Sequence, residues 1–561
     1  VATGTPAARR FAASHLASPR LARIDTETST LNLLSATQAA ALVHSGSTIA
    51  CAGFVGCGHP EAVTAALERR FLAEGAPADL RLVYAAGQGD RSHRGVNHFG
   101  HAGMTACIIG GHWRSATKLS ALALEERCAA FNLPQGVITQ LYRAIAGGKP
   151  GVITKIGLHT FVDPRHDGGA LNALARRGVA EGVRRYVERV ELNGEEWLLY
   201  PSFPIDVALI RGTSVDARGN LATEREAFHH ELLAIAQAAR NSGGIVIAQA
   251  RRIVERHENL HAVRVPGVLI DHVVIAEHDD EHMITFAETD NPAYYTAWRG
   301  PGHESPRPAP RPLDVRKVVQ RRALLELVAR RPRVVNLGVG MPAGIGSVAD
   351  EEGVSGFTLT VEAGPIGGTP ADGLSFGASA YPEAVVDQPA QFDFYDGGGI
   401  DLACLGLAEL DVQGNVNVSL FGDGANRIVS GVGGFINITQ SAREVVFMGT
   451  LTAGGLEVEA RDGRLRIVRE GRVSKIVPAV SHLTFNATYV SSLGRRILYV
   501  TERAVFELRD GALTLVEVAP GIDVREQVLA LCPPGVRVAE PLRTMDARIF
   551  DEAPMLTREG A

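Results

Sequence analysis

Residues 357–368 read FTLTVEAGPIGG. Phe357, Leu359 and Val361 alternate with Thr358 and Thr360, the period of a β-strand with one buried face. Where the strand should end a single acid, Glu362, stands ahead of Gly364, Gly367 and Gly368. Two readings fit. A strand-end carboxylate beside glycines is an ordinary solvated turn residue. The same carboxylate is a nucleophile if the group it meets is activated and carries a good leaving group. A thioester meets that condition, because its thiolate departs without a general acid. Such a site needs N–H groups to receive the oxyanion of a tetrahedral intermediate, and glycine turns offer N–H groups that no side chain obstructs.

Other chemistries find less support in the chain. Glycine-rich turns follow strand-like runs at 53–60, 338–346 and 364–368. The second, GVGMPAGIG, approaches a dinucleotide-binding GxGxxG, but its third glycine is misplaced and Pro342 interrupts it. Asp350 and Glu351 also come too early to serve as the ribose-binding acid. No GxxxxGK[ST] phosphate loop and no GxSxG elbow occurs, and no cysteine has an evident base neighbour. HDDEH at 278–282 spaces His278 and His282 one helical turn apart. Its order differs from HExxH and its flanks read as strand and loop, so it reads as a solvated loop, and no metal site is expected. His229, His230, His93, His98 and His101 read as surface or packing residues.

The elements that must hold such a site come in two sets. Residues 299–316, RGPGHESPRPAPRPLDVR, carry five prolines and read as a stiff extended linker. IDVALIRGTSVDARGN starts at Ile205 and IDLACLGLAELDVQGN at Ile400, with Ile, Asp, Ala, Asp, Gly and Asn recurring at an offset of 195. GCGHP at 56–60 echoes GVGMP at 338–342 at an offset of 282, each after an apolar run. Two echoes in the same order predict a duplicated unit, with 87 additional residues between the motifs of the first copy. Apolar runs at 244–248 and 272–276 read as buried parallel strands, and 61–72 and 316–330 as helices. The expected fold class is α/β, a sheet covered on both faces in each half. From about residue 456, Asp-Gly turns between alternating segments predict antiparallel hairpins. The boundaries that follow are an N-terminal extension 1–33, domains 34–298 and 317–545 joined by the linker, and a tail 546–561.

The 561 residues exceed what one core organises. With 45% hydrophobic and 21% charged residues and a net charge of −6, the composition is globular and lacks the basic footprint of a nucleic-acid partner. No apolar run is long enough to cross a bilayer. Six scattered cysteines suggest a reducing compartment, and the expected location is the cytoplasm. The first two dozen residues hold Arg9, Arg10, Arg20 and Arg23 and no acid. A transit peptide has this composition, as does a flexible extension, which is the reading adopted.

The sequence resembles the family I coenzyme A-transferases, in particular their single-chain propionate/acetate subgroup, over about residues 34–545. The resemblance rests on GFVGCGHPE, NLPQG (132–136), GKPGVITKIGLHTFVDPR (148–165), YPSFPIDVALIRGTSVDARGN, NLGVGMP, TVEAGPIGG, QFDFYDGGGIDLACLGL and GVGGFINI (431–438), in family order. It implies an enzyme that transfers coenzyme A between a short-chain acyl-CoA and a free carboxylic acid. Coenzyme A is then a co-substrate, with no tightly bound cofactor. It implies that Glu362 forms the covalent glutamyl-CoA thioester of a ping-pong cycle, and that Gly433 or Gly434 donates to an oxyanion. Gln135 and Gly56 then lie by the acyl group, and Asn336, Gly338 and Gly340 by the thiol arm of coenzyme A. A homo-oligomer, dimer or tetramer, is implied as well. The family's usual Asn after the nucleophile is Ala363 here, and a lysine of the ketoacid-specific relatives has no match near 385–388, which turns the expectation toward short straight-chain acids. An acyl-CoA hydrolase and a non-catalytic CoA-binding protein are the alternatives. The first lacks a general base close in sequence, and the second would be expected to lose Glu362.

Overall fold

The computed structural model describes residues 31–297, 300, 311–422 and 424–556. Two large sheets organise them. In the first, eight strands lie parallel in the order Leu33–Leu34, His272–Ile275, Ile245–Val254, Val207–Asp216, Thr48–Cys51, Leu80–Tyr84, Thr105–Gly110 and Ala129–Asn132. The second has five central parallel strands, Arg496–Val500, Glu444–Met448, Leu402–Gly406, Val334–Leu337 and Thr358–Thr360. Those five repeat the order from His272–Ile275 to Leu80–Tyr84 in the first sheet.

The repeat extends to side chains. The Asp206 carboxylate accepts from Thr48 N at 2.7 Å, and that of Asp401 accepts from Val334 N at 3.1 Å. Asp216 Oδ1 accepts from the backbone of Arg218 and Asn220, while Asn220 Nδ2 donates to Oδ2 at 2.9 Å. Asp411 repeats this with Gln413 and Asn415, the last donating through Nδ2 at 3.1 Å. The segments 205–220 and 400–415 therefore hold equivalent places, as the offset of 195 predicts. Both central strands are buried on both faces. Ile49 and Cys51 enter one apolar cluster and Ala50 another, and Leu402 and Cys404 are likewise separated from Ala403 and Leu405. Burial on alternate sides explains why these strands read as continuous apolar runs.

The helices Glu61–Glu74 and Val315–Arg330 and the strands Ile245–Val254 and His272–Ile275 lie where the apolar spacing puts them. The Asp-Gly turns also form, with positive φ at both Asp462–Gly463 and Asp510–Gly511. The first closes a separate hairpin, Glu457–Arg461 with Arg464–Arg469. The second joins Ala504–Arg509 to Ala512–Val518, which extend the main sheet rather than standing apart from it. Most of the proline-rich linker lies outside the described residues. Two expected boundaries meet the structure differently. Leu33, the last residue of the expected extension, pairs with Val273, continuing the strand in which Leu34 pairs with Val274. In the expected tail, Ile549, Phe550 and Met555 are buried in a core cluster, and Arg321 donates to the carbonyls of Ile549, Asp551 and Ala553. His282, in the segment read as a solvated loop, is buried and lies 3.2 Å from Glu226. Among the described residues no group of His, Cys, Asp and Glu is arranged to hold a metal, and no helix is long and apolar enough to cross a membrane.

Candidate active site

Ligands of parallel α/β sheets bind beyond the C-terminal ends of the strands, and the loops there meet across the two halves. Strand Thr358–Thr360 ends in a tight turn. Gly364 N donates to Val361 O at 3.0 Å, and Val361 N to Pro365 O at 3.0 Å. Gly364 has φ +129, and a Cβ there would stand 2.2 Å from Val386 O, so only glycine closes this turn. Glu362 projects from its tip. Its neighbours Val361 and Ala363 are buried in an apolar cluster with Phe54, Phe228 and Phe376 that spans both halves. Ala363 is fully enclosed, and an asparagine side chain in its place would enter that apolar cluster.

The Glu362 carboxylate is held against a second glycine turn, 431–434, which leads into helix Phe435–Ser441. That turn is fastened to the first half. Val432 N donates to Asn132 Oδ1 at 3.0 Å, Gly433 N to Gly111 O at 2.9 Å, and Trp113 N to Ser430 O at 2.8 Å. In return Gln135 N donates to Gly433 O at 2.9 Å and Gly136 N to Asn437 Oδ1 at 3.2 Å. The Gly433 N–H is thus occupied. Gly434 differs: its N–H bears on Glu362, and a Cβ there would stand 2.0 Å from Glu362 Oε2.

Burial raises the Glu362 pKa to about 7, against the opposing pull of the Gly434 N–H and the Gln135 side chain. By surface area the residue is only half-buried, because its pocket face stays open while protein encloses the carboxylate elsewhere. Gln135, 1% exposed at the first turn of helix Gln135–Ala146, bears on the carboxylate electrostatically. Its Nε2 has no hydrogen-bond partner of good geometry among the described residues. Beneath the turn, Tyr395 Oη donates to Thr360 Oγ1 at 2.9 Å. Asn336 Nδ2 donates to Thr360 O at 3.2 Å and to Tyr395 Oη at 3.3 Å.

Glu362 opens into a cleft of about 280 Å³. Asn336, Gly338, Gly433 and Gly434 line it, and its walls are largely apolar, with Leu405, Leu407, Val418, Phe435 and Ile438 among them. Gly340 and Gly56 do not line it. At Gly56 a Cβ would meet Leu374 O at 2.4 Å and Phe286 N at 2.8 Å, so this glycine permits close packing of the 283–290 and 374–376 segments behind the cluster at Phe54. Sequence reading passed over His112 in the cleft wall, and Asn132, whose amide locks the Gly433 turn and donates to Gly110 O at 2.8 Å. Asn132 heads the NLPQG motif, which was a signal; His112 follows a Gly-Gly pair at a strand end, a weaker one.

A buried carboxylate of raised pKa, a glycine N–H and an amide that bear on it and a largely apolar cleft in front suit attack on an activated acyl group. Comparison with known proteins points the same way. A family model for coenzyme A transferase matches residues 33–276. A caffeate CoA-transferase of Acetobacterium woodii is 42% identical over 522 residues, 92% of this chain and 97% of that protein. The acetate CoA-transferase YdiF of Escherichia coli K12 is 38% identical over 528 residues, 93% of this chain and 96% of its own. Crystal structures of the acyl-CoA transferase YdiF from E. coli O157:H7, an apoenzyme and a thioester complex with CoA, match with a TM-score of 0.85 and 36% identity. Each covers 94% of this chain and 97% of that one.

Proposed function

This chain belongs to the coenzyme A transferase family and is a CoA-transferase, moving coenzyme A between an acyl-CoA and a carboxylic acid, and from that premise we propose that Glu362 carries the transfer and that short straight-chain acids are its substrates. The observation that carries the assignment is the Glu362 carboxylate, enclosed against Gly434 and open only to the cleft. Its oxygen attacks the thioester carbonyl, and the Gly434 N–H and the Gln135 amide are the donors within reach of the resulting charge. Collapse expels the coenzyme A thiolate and leaves an acyl-glutamyl anhydride. The thiolate then attacks the Glu362 carbonyl, which releases the donor acid and forms a thioester on Glu362. A second acid reverses both steps. No proton need move in either half, which accords with a cleft whose one imidazole, His112, is held neutral by a pKa lowered to about 4. Desolvation is the main cause, with Arg91 and Arg114 adding to it. The apolar walls favour an unsubstituted acyl chain; of the relatives, one is named for acetate, an acid of that kind, and the other for caffeate, a larger aromatic acid.

The test is to mix the protein with acetyl-CoA alone. One equivalent of acetate should be released and the peptide containing Glu362 should gain the mass of coenzyme A minus water. Glu362→Ala should lose the adduct and about 10⁴-fold or more of transfer. An adduct on a cysteine, or near-normal transfer by that variant, refutes the role of Glu362. Coenzyme A release as fast without an acceptor acid as with one would make the enzyme a hydrolase.

A further inference from the structure

The two donors that bear on Glu362 come from opposite halves of the chain. The Gly434 N–H stands at the head of helix Phe435–Ser441, and the Gln135 side chain at the head of helix Gln135–Ala146. Their separation is therefore set by whatever ties these two helices together. Asn437, fully buried, lies between them. Its Oδ1 accepts from Gly136 N at 3.2 Å, in the residue that follows Gln135. A Cβ on Gly136 would stand 2.5 Å from Asn437 Nδ2 and 2.4 Å from Phe392 Cδ1, so only glycine lets the helices approach this closely. Asn437 Nδ2 donates in turn to Asp396, at 2.9 Å to Oδ1 and 3.2 Å to Oδ2. Gln140, on the helix that Gln135 starts, donates through Nε2 to Asp396 Oδ2 at 2.9 Å and to Asp393 Oδ1 at 3.2 Å. One carboxylate at the end of a third helix, Gln388–Asp396, thus takes a hydrogen bond from each of the two donor helices.

We propose that Asp396 is a positioning residue for the transfer: acting through Asn437 and Gln140, it holds the Gly434 N–H and the Gln135 amide at the separation that Glu362 and its oxyanion require. The proposal rests on the role given to Glu362 above. Apolar side chains join helices without the cost of enclosing a charge, so a carboxylate at this junction is better explained by specificity of geometry than by stability. That cost is visible here, since desolvation raises the Asp396 pKa to about 7 against the bonds from Asn437 and Gln140. Asp393, on the same helix, adds to the rise. Arg143 of the Gln135 helix is engaged by Asp393 at 2.5 Å, and Lys149 lines the same outer hollow. Tyr200 of strand Glu195–Pro201 also feels the Asp396 charge, while helix Phe435–Ser441 carries no titratable group. An ionised carboxylate only accepts, so it satisfies both amides at once and fixes which way each points. Protonation turns one of its oxygens into a donor, and one helix loses its tie.

Asp396→Asn keeps the shape and imitates the protonated form. With acetyl-CoA alone at pH 8, its single-turnover rate of adduct formation should fall about 10–10²-fold, the scale of a slightly displaced donor, with the Kd for free coenzyme A unchanged. A merely structural role would leave the pH profile alone. Between about pH 5.5 and 6.5 the wild-type rate should rise by more than about tenfold, as two ionisations require, and the variant's by less, as Glu362 alone requires. Gln140→Leu, at a half-buried position, removes only the tie to the Gln135 helix and should show part of the fall at pH 8. Wild-type rates in either variant, or a slowed Asp396→Asn whose profile is as steep as the wild type's, overturn the proposal. Failure of the wild type to form any adduct would instead strike the role of Glu362, and the steepness of the overall transfer rate would still judge Asp396.

Discussion

Placing an ionisable carboxylate where Glu362 sits has a thermodynamic cost, and removing its charge should make the protein more stable while, on the role proposed for it, ending its activity. In the fold its pKa is about 7, raised chiefly by desolvation, against an ordinary value of 4.5. Below about pH 4.5 the carboxyl is protonated in both folded and unfolded chains, and the shift costs nothing. As pH rises the unfolded chain ionises first, and stability falls until the folded carboxyl ionises too, near pH 7. At about 1.4 kcal/mol per unit, the loss is about 1 kcal/mol at pH 5.5 and about 3 kcal/mol at pH 8. Glu362→Gln keeps the shape and cannot ionise. It should therefore melt higher than wild type, and the difference should grow with pH. In a unit of some 200 residues, about 3 kcal/mol corresponds to roughly 6 °C or more. Thermal melts of both proteins at pH 5.5, 7 and 8 measure this. A difference that does not change with pH, or a variant less stable at pH 8, would show that the carboxylate is not held in the desolvated setting argued above.

The same shift gives the acyl-CoA half-reaction a pH dependence: adduct formation needs ionised Glu362, so its kcat/KM should climb through about pH 7 and level above it, and a flat profile from pH 5 to 8 would contradict this. Gly434→Ala suits the backbone, at φ −81 and ψ 0, but places a Cβ 2.0 Å from Glu362 Oε2; adduct formation should fall at least about 10²-fold with the melting temperature little changed. Gln135→Leu removes the unpartnered amide and should lower kcat by about 10²–10³, the usual worth of one oxyanion donor, as single-turnover kinetics would read.

What the sequence made legible was local or repeated. The Thr358–Thr360 strand and its glycine turn announce themselves by alternation and composition. The Asp-Gly hairpins follow from the φ those turns demand, and the duplication from residues recurring at a fixed offset. What it concealed depends on contacts across hundreds of residues. Only the folded chain shows that Gly433 N is taken by Gly111 O while Gly434 N faces the carboxylate. Asn132 reaches Val432 over a separation of 300 residues. The segment 546–556 reads as a polar tail because Ile549, Phe550 and Met555 are scattered among Asp and Glu. It packs because Arg321, fixed on a distant helix, gathers its carbonyls.

The duplication also explains why a molecule built twice has one candidate nucleophile. Strand pairing sets Thr48 beside Arg81 in the first sheet and the equivalent Val334 beside Thr358 in the second. Counting on along each strand, Tyr84-Ala85-Ala86-Gly87 falls where Val361-Glu362-Ala363-Gly364 falls. The glycine recurs in sequence, but Gly87 lacks the positive φ of Gly364 and donates no hydrogen bond to Tyr84 O, and the acid is missing: Ala85 stands where Glu362 would be. In the first half that position is sealed, since Ala85 is fully buried and a Cβ on Gly111 would come 2.1 Å from its carbonyl. The first copy's strand-end loops have instead become the frame for the second copy's carboxylate. Gly111 and Asn132 fix the Gly433–Gly434 turn, and Gln135 stands behind Glu362. The halves have divided one task, so that neither folded alone would hold both the carboxylate and the donors around it.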